Sequence, residues 1–415
     1  MQTVVVPVFL LVYLGMLLGR FPRLQLDRTG IALLGAIALL ATGTLDLEEA
    51  GRGVDIPTLA LLFALMVVSA QLRLGGFYSR VARDLASHAL APAWLLLALT
   101  LVAGLLAAVF SNDIVCLAVA PVAIDACARR GLDPVPFLLA LAAAANVGSA
   151  ATLIGNPQNM LIGQSLGLSF TDYLATAALP SVLGLVAVWA VIALQVRGRW
   201  SGPSAAGTSG SEPVDPAEIP PFDRWQTTKG LGVAGLLLLA FLFTAWPREI
   251  VALAGAGLLL TSRKLHSRRM LGLVDWQLLV LFIGLFVVNH ALERTALPAE
   301  IVAALQSRGL DPHHPGWLFA ATVVLSNAVS NVPAVMLLLP LASHPLAGPV
   351  LALASTLAGN LLVVGSIANI IVVDAAAAHG LAIDWRRHAR TGVPVTLVTL
   401  AIAAGLLALH ARALP

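Results

Sequence analysis

Long apolar runs, interrupted at a few polar positions, dominate the hydropathy pattern of the chain. Runs of about 18 residues or more mark helices that cross a bilayer. Ten such spans are predicted, near residues 4–19, 29–45, 57–72, 136–166, 173–196, 229–246, 249–262, 275–292, 348–378 and 393–411. The runs are continuous and not alternating, which excludes a β-barrel. Two further apolar stretches, 91–128 and 315–343, are each broken by polar residues and are predicted as re-entrant hairpins. The expected fold class is an all-α polytopic membrane protein.

Composition removes the soluble alternatives. Only 11% of the residues are charged, against about 25% in soluble domains. Residues 1–19 run from Met-Gln into an apolar span without a basic n-region, so no cleavable signal is expected. Cys116 and Cys127 both fall in apolar sequence and are expected to pack as small apolar residues.

The charges become informative once they are placed along the chain. With the N-terminus outside, the loops assigned to the cytoplasm hold all but five of the 24 Lys and Arg residues; the exceptions are Arg52, Arg248, Arg294, Arg308 and Arg412. Such a bias orients a membrane protein. Arg73, Arg80 and Arg83 precede the stretch 91–128, and Arg129 and Arg130 follow it. A full crossing would put one of these clusters outside, so the hairpin reading is favoured. Both termini are expected outside a bacterial-type inner (plasma) membrane. Residues 200–222, "WSGPSAAGTSGSEPVDPAEIPPF", are rich in Gly, Pro and Ser and open a flexible cytoplasmic linker at 200–228.

The halves on either side of that linker resemble each other. "LF" at 62–63 recurs at 281–282, "SND" at 111–113 as "SNV" at 330–332, and Pro121 as Pro340, all offset by 219. Further on, "LIGNPQNMLI" (153–162) matches "VVGSIANIIV" (363–372), pairing Gly155 with Gly365 and Asn159 with Asn369. The expected organisation is N-terminal helices at 1–56, a first repeat at 57–199, the linker, connecting helices at 229–274 and a second repeat at 275–415. Segment 57–72 runs inward before its hairpin and 275–292 runs outward, so the repeats are inverted. Inverted repeats with paired broken helices are a transporter architecture, with the site at the repeat interface.

Each repeat carries two polar breaks: Ser111–Asp113 and Gly155–Asn159 in the first, Ser330–Pro333 and Gly365–Asn369 in the second. Unwound backbone at membrane depth is tolerated where it is buried in protein or lines a cavity. Freed carbonyls there can coordinate a cation, and half-helix N-termini can face an anion. A single Ser or Asn is as readily explained by interhelical hydrogen bonding or capping; four breaks in two matched pairs are not. Asp113 is the sharpest case, because a carboxylate inside a bilayer is a functional candidate by default. The alternative is that it caps the second hairpin arm. Its repeat mate is Val332. Glu293 and Arg294 are read as an interfacial ion pair, His290 as a structural or interfacial histidine, and Asp374 as reaching water.

"SNDIVCLAVAPVAI" followed by "PVPFLLALAAAANVGSAATLIGNPQNMLI" resembles the signature region of the ion transporter superfamily. The likeness is to its arsenical-pump and NhaD-type permease branch, and there to the YbiR-like inner-membrane permeases. "SNVPAVMLLLPL" and "GNLLVVGSIANIIV" are similar to the second-half signatures. The resemblance implies two re-entrant hairpins, a scaffold around a mobile transport domain, elevator-type alternating access and a homodimer. From the related divalent anion/sodium symporters it implies a sodium and carboxylate site at Ser111, Asn112, Gly155 and Asn156, and at Ser330, Asn331, Gly365 and Ser366. Asp113 and Val332 stand where those symporters have Thr, and an Asp after the Asn resembles the permease and antiporter branch.

The expectation is therefore a secondary transporter of a small anion, an inorganic oxyanion or carboxylate, with Asp113 carrying a coupling proton or sodium ion. Sodium/proton antiport and arsenite-type efflux stay open beside it. A channel would need no matched breaks, and an intramembrane enzyme would need a dyad or zinc cluster that is not evident. The chain lacks a P-loop, and no cofactor beyond the coupling ion and no nucleic-acid partner is expected.

Overall fold

The computed structural model describes residues 2–19, 25–201 and 221–413. Arg20, Arg23 and most of the expected linker lie outside the described residues. The first half forms α1 (Gln2–Leu18), α2 (Arg28–Ala41), α3 (Leu47–Gly53), α4 (Ile56–Leu74), α5 (Phe77–Ser87), α6 (Pro92–Val109), α7 (Asn112–Arg129), α8 (Pro134–Ser149), α9 (Pro157–Ser165) and α10 (Phe170–Val196). The second forms α11 (Arg224–Phe243), α12 (Arg248–Leu260), α13 (Ser267–Leu271), α14 (Trp276–Glu293), α15 (Leu297–Gln306), α16 (Pro315–Val329), α17 (Asn331–Leu338), α18 (Ala347–Ala358), α19 (Ile367–Ala378) and α20 (Trp385–Ala413). The first turn of α11 removes Arg224–Thr228 from the expected linker.

Local chemistry recurs between the two halves. Asp55 caps α4 by accepting from Thr58 N, and Asp275, 220 residues on, caps α14 by accepting from Leu278 N. The halves interlock: α4 packs along α12, and α14 packs along α2.

The centre of the bundle is built from α8 and α18. Every residue of α18 is buried, and nearly all of α8. Their Ala- and Gly-rich sequences let neighbouring backbones approach closely, the usual device of helix packing in membranes. A Cβ on Gly148 would lie 2.1 Å from Gly104 O, so α6 crosses α8 at a point where only hydrogen fits.

Among the described residues six helices, α4, α6, α10, α11, α14 and α20, are long and apolar enough to cross a membrane by themselves. The expected spans at 29–45 and 249–262 are shorter as helices, 14 and 13 residues. At 1.5 Å per residue such helices rise only about 20 Å, so their turns must supply the rest of a crossing of about 30 Å. The expected spans 136–166 and 348–378 are each two helices. They separate at 150–156 and 359–366, so Asn159 and Asn369 fall inside α9 and α19 and not in the unwound backbone.

Both hairpins have ends that meet. Arg130, just after α7, hydrogen-bonds Leu90 O and also reaches His88 O (3.4 Å), in the short link between α5 and α6. In the second hairpin His313 Nδ1 lies 3.2 Å from Leu341 O. Four short helices, α3, α5, α13 and α15, were not expected. Arg294 does not pair with Glu293; it binds Glu49 of α3 (2.7 Å) and joins the two halves. His290 packs on Gly53, Asp374 is exposed, and both cysteines are free and buried.

Candidate functional site

The two unwound segments are built alike. Asn156 and Ser366 are the N-caps of α9 and α19, in nearly the same extended conformation (φ −153 and −145). Pro157 opens α9, where a missing N–H costs nothing. Asn159 turns its Nδ2 back to Ser149 O (3.3 Å) and Thr152 O (2.9 Å), closing the end of α8. Asn369 does the same for α18, donating to Gly359 O (2.8 Å) and Leu362 O (3.0 Å). These are the same atoms shifted by 210 residues. Gly155 is required by close approach, since a Cβ there would lie 2.3 Å from Ser149 O; at Gly365 the matching atom, Gly359 O, would be 3.0 Å away.

Each break is braced from the other half. Asn146 of α8 donates to Asn360 Oδ1 (2.8 Å) and Asn369 Oδ1 (3.3 Å), and accepts from Ser366 Oγ (2.8 Å). Thr356 of α18, its counterpart 210 residues on, accepts from Asn156 Nδ2 (3.2 Å) and Gln158 Nε2 (3.1 Å). Ser149 joins by accepting from Asn156 Nδ2 (3.0 Å), and Tyr173 by accepting from Asn159 Nδ2 (3.1 Å). All of these side chains are buried. Sequence reasoning missed Asn146, Ser149, Thr356, Gln158 and Asn360. A lone Asn in an alanine helix reads as interhelical glue, although extending the repeat ten residues upstream of Asn156 and Ser366 reaches Asn146 and Thr356.

The hairpin tips close on these breaks. Asn112 N donates to Gly155 O (3.3 Å), and its side chain to Asn146 Oδ1 (3.1 Å). Asn331, with its amide nitrogen turned toward its acceptors, donates to Gly365 O (3.2 Å) and Ser355 O (3.1 Å) and pairs with Ser326 Oγ. Each tip therefore reaches the equivalent glycine carbonyl. Asn112 Oδ1 and Asn360 Nδ2 are buried without a partner among the described residues, an acceptor and a donor left free within the network. Ser111 and Ser330 sit half-buried at the N-caps of α7 and α17, with no side-chain capping bond.

Asp113 lies half-buried in the first turn of α7, one residue past Asn112. It is not the cap, which is Ser111, and its carboxylate takes no hydrogen bond among the described residues. Of the eleven site residues expected from sequence, those at the breaks and both tip asparagines enter one connected network. Ser111, Asp113 and Ser330 adjoin it without bonding to it.

Four helices begin at this network, α7, α9, α17 and α19, and four end there. Such paired breaks at the centre of a multi-pass helical bundle define a membrane transporter. The chain belongs to the citrate transporter family (CitMHS), which matches residues 10–358. The likeness to the ion transporter superfamily read from the motifs is thereby borne out. The chain is 29% identical over 439 residues to the 46 kDa membrane protein of Mycobacterium leprae (strain TN), covering 97% of each. It is 29% identical over 449 residues to the silicon efflux transporter LSI3 of Oryza sativa subsp. japonica, covering 92% of each. Among solved structures it shares its fold with the Alcanivorax borkumensis YdaH transporter, at TM-score 0.57 and 16% identity over 98% of this chain and 97% of that one.

Proposed function

We propose that the chain is a secondary active transporter of a small anion, an inorganic oxyanion or a carboxylate, coupled to a proton or sodium gradient by alternating access. The observation that carries this reading is the crossed brace: Asn146 holds the second half's break and Thr356 holds the first half's. The walls of one site thus belong to different halves, and a relative movement of the halves would expose that site to one side or the other. Helix N-termini beginning at the network suit an anion, and helix C-termini ending there suit a cation. Sodium would fit the carbonyl side, near Ser111, Asn112, Asp113 and Gly155 and near Ser330, Asn331 and Gly365. Asp113 is the group that binds and releases the coupling ion.

The carboxylate option draws on the family's name. A second reading, efflux of a weak acid in its neutral hydroxylated form, of the arsenite or silicon type, is favoured by charge. No Lys or Arg belongs to the network, and Asp113 adds a negative charge that opposes a multiply charged anion. In both readings the first hairpin opens to the cytoplasm and the second to the outside, as the basic loops favour, and the protein works as an elevator-type homodimer.

The test is flux into proteoliposomes under imposed proton and sodium gradients, with arsenite, phosphate, sulfate, citrate and sodium as solutes. Saturable uptake with counterflow is expected for one solute class. Unsaturable flux without counterflow would make the chain a channel.

A further inference from the structure

The base of the second hairpin opens into a cavity of about 790 Å³, between the entry to α16, the segment after the hairpin and the end of α20. The first half treats the same place differently. "PAWL" at 92–95 opens α6 there, as "PGWL" at 315–318 opens α16. Trp189 of α10 donates to Ala93 O (2.9 Å) and stacks on Trp94, with ring centroids 6.3 Å apart. At the matching level of α20 stand Ala404, Ala408 and Ala411, and α20 keeps away from α16 where α10 packs along α6. One half closes this space with an indole and the other leaves it open. The fold does not require the opening.

The wall carries His313, His314, His344 and Asp311. Hydrogen bonds decide what each ring can offer. His314 Nδ1 accepts from Gly316 N (3.1 Å), and His344 Nδ1 accepts from Leu346 N (3.0 Å). A neutral ring that accepts through Nδ1 carries its hydrogen on Nε2, so each of these rings is left with one free donor. His313 Nδ1 faces Leu341 O (3.2 Å), which can only accept, and Ser343 Oγ lies 3.1 Å from the same nitrogen. Metal ligation needs a lone pair on Nε2, which His314 and His344 do not have in this state. Asp311 accepts from His313 N (3.1 Å) and is the one carboxylate among the described lining residues.

We propose that this cavity is a second oxyanion site, separate from the central network, which takes a phosphate-type group on the Nε2–H donors of His314 and His344. The group arrives either free in solution or as the headgroup of an anionic lipid, whose apolar part Phe319, Leu407 and Ala408 would cover. The assignment does not rest on Asp113 or on the transport reading.

The test is a calorimetric titration of inorganic phosphate into the full chain in phosphatidylcholine nanodiscs. Saturable binding is expected for the native chain. The double variant His314→Asn/His344→Asn keeps both backbone caps, because Asn Oδ1 accepts the same N–H groups, but loses the Nε2–H donors and leaves only the shorter-reaching Asn amide. It should bind phosphate roughly tenfold more weakly or worse. Ala404→Trp, which rebuilds the indole of the first half, should abolish binding. Asp311→Asn should tighten it, since a repelling charge is removed while the His313 cap is kept. Nanodiscs containing phosphatidylglycerol distinguish the sources: a raised apparent Kd supports the site as a lipid headgroup site, and an unchanged one supports it as a site for the free anion. Native-like binding in the double Asn variant, weaker binding in Asp311→Asn, or loss of binding in Asn331→Ala with the histidine variants unaffected would each overturn the proposal. So would a native chain that neither binds phosphate saturably nor retains phosphatidylglycerol better than the double variant.

Discussion

The two hairpin tips occupy equivalent places and are built in opposite ways. The first turns through Phe110 and Ser111 in ordinary extended backbone (φ −119 and −56). Beyond the turn, Asn112 makes one side-chain bond and leaves Oδ1 unpaired, and Asp113 makes none. The second turns at Ser330, whose φ of 78 and ψ of 161 lie in a region essentially reserved for glycine. It is held there by the Asn331 amide on Gly365 O, Ser355 O and Ser326, with the buried Val332 beneath. One tip stores strain and is locked by hydrogen bonds; the other is relaxed, lightly held and ionisable. Halves with matching motifs need not divide their work evenly. The lightly held tip suits an element that binds and releases an ion, and the locked tip suits a fixed wall.

The largest effect expected from this contrast is at the carboxylate. Asp113→Asn keeps the shape of the side chain and removes its charge. Gradient-driven accumulation in proteoliposomes should fall to background while exchange of solute for solute survives, and Asp113→Glu should keep partial coupling with a shifted pH dependence. Native accumulation and pH dependence in the Asn variant would end the functional contrast between the tips.

Stability should divide the other way. Asn331→Ala strands the Gly365 carbonyl and removes one of the two donors to Ser355 O, which keeps Ser326 Oγ, at about 1–3 kcal/mol for the buried group left unpaired. Asn112→Ala removes a single side-chain bond from an amide already half unsatisfied. Thermal unfolding in detergent should show the larger loss for Asn331→Ala, although both variants should transport poorly. Equal losses would mean that the tips are equally anchored.

Ser330→Gly should relieve strain and raise stability by about 1 kcal/mol, at the low end of the cost of such backbone. Ser111→Gly, at ordinary φ and ψ, should give no gain. A loss in Ser330→Gly would show that the serine side chain itself supports the turn.

The smallest effect concerns α14, which packs on the locked tip's helix α17 and is tied outside the membrane by Arg294 to Glu49. The Asp46 backbone N–H, and after it Arg294, hold the Glu49 carboxyl below the usual carboxylate range. A carboxyl lowered in the folded state adds stability that is present above its unfolded value and is lost as pH falls through its folded value. Arg294→Ala should therefore reduce the acid-side decline in unfolding temperature slightly, and leave it unchanged near neutral pH apart from a small constant offset. A large change would make this surface pair a true anchor of the second tip.

The positions of the breaks were legible because the bilayer makes polar residues conspicuous. Ser111–Asp113, "GNPQN", "SNVP" and "GSIAN" stand out against leucine and alanine, and their repetition at fixed offsets pointed to one shared site. The short helices α3, α5, α13 and α15 were not legible. They are brief or amphipathic, and their polar residues read as loops between spans. The extent of the spans at 136–166 and 348–378 was misjudged for a related reason: apolar sequence continues through 150–154 and 361–364 although the helix does not.

By itself the sequence determined that the chain lies in a membrane, that its halves carry matching polar motifs and that Asp113 is out of place in hydrocarbon. These follow from hydropathy and local backbone chemistry, which act over a few residues. Only the tertiary structure decided that Asn146 and Thr356 brace the opposite halves, that Ser330 is strained while Ser111 is not, and that α20 leaves open the space α10 fills. Those outcomes depend on groups 198 to 220 residues apart in the chain, or on how one helix lies against another. Spacing along the chain does not carry that information.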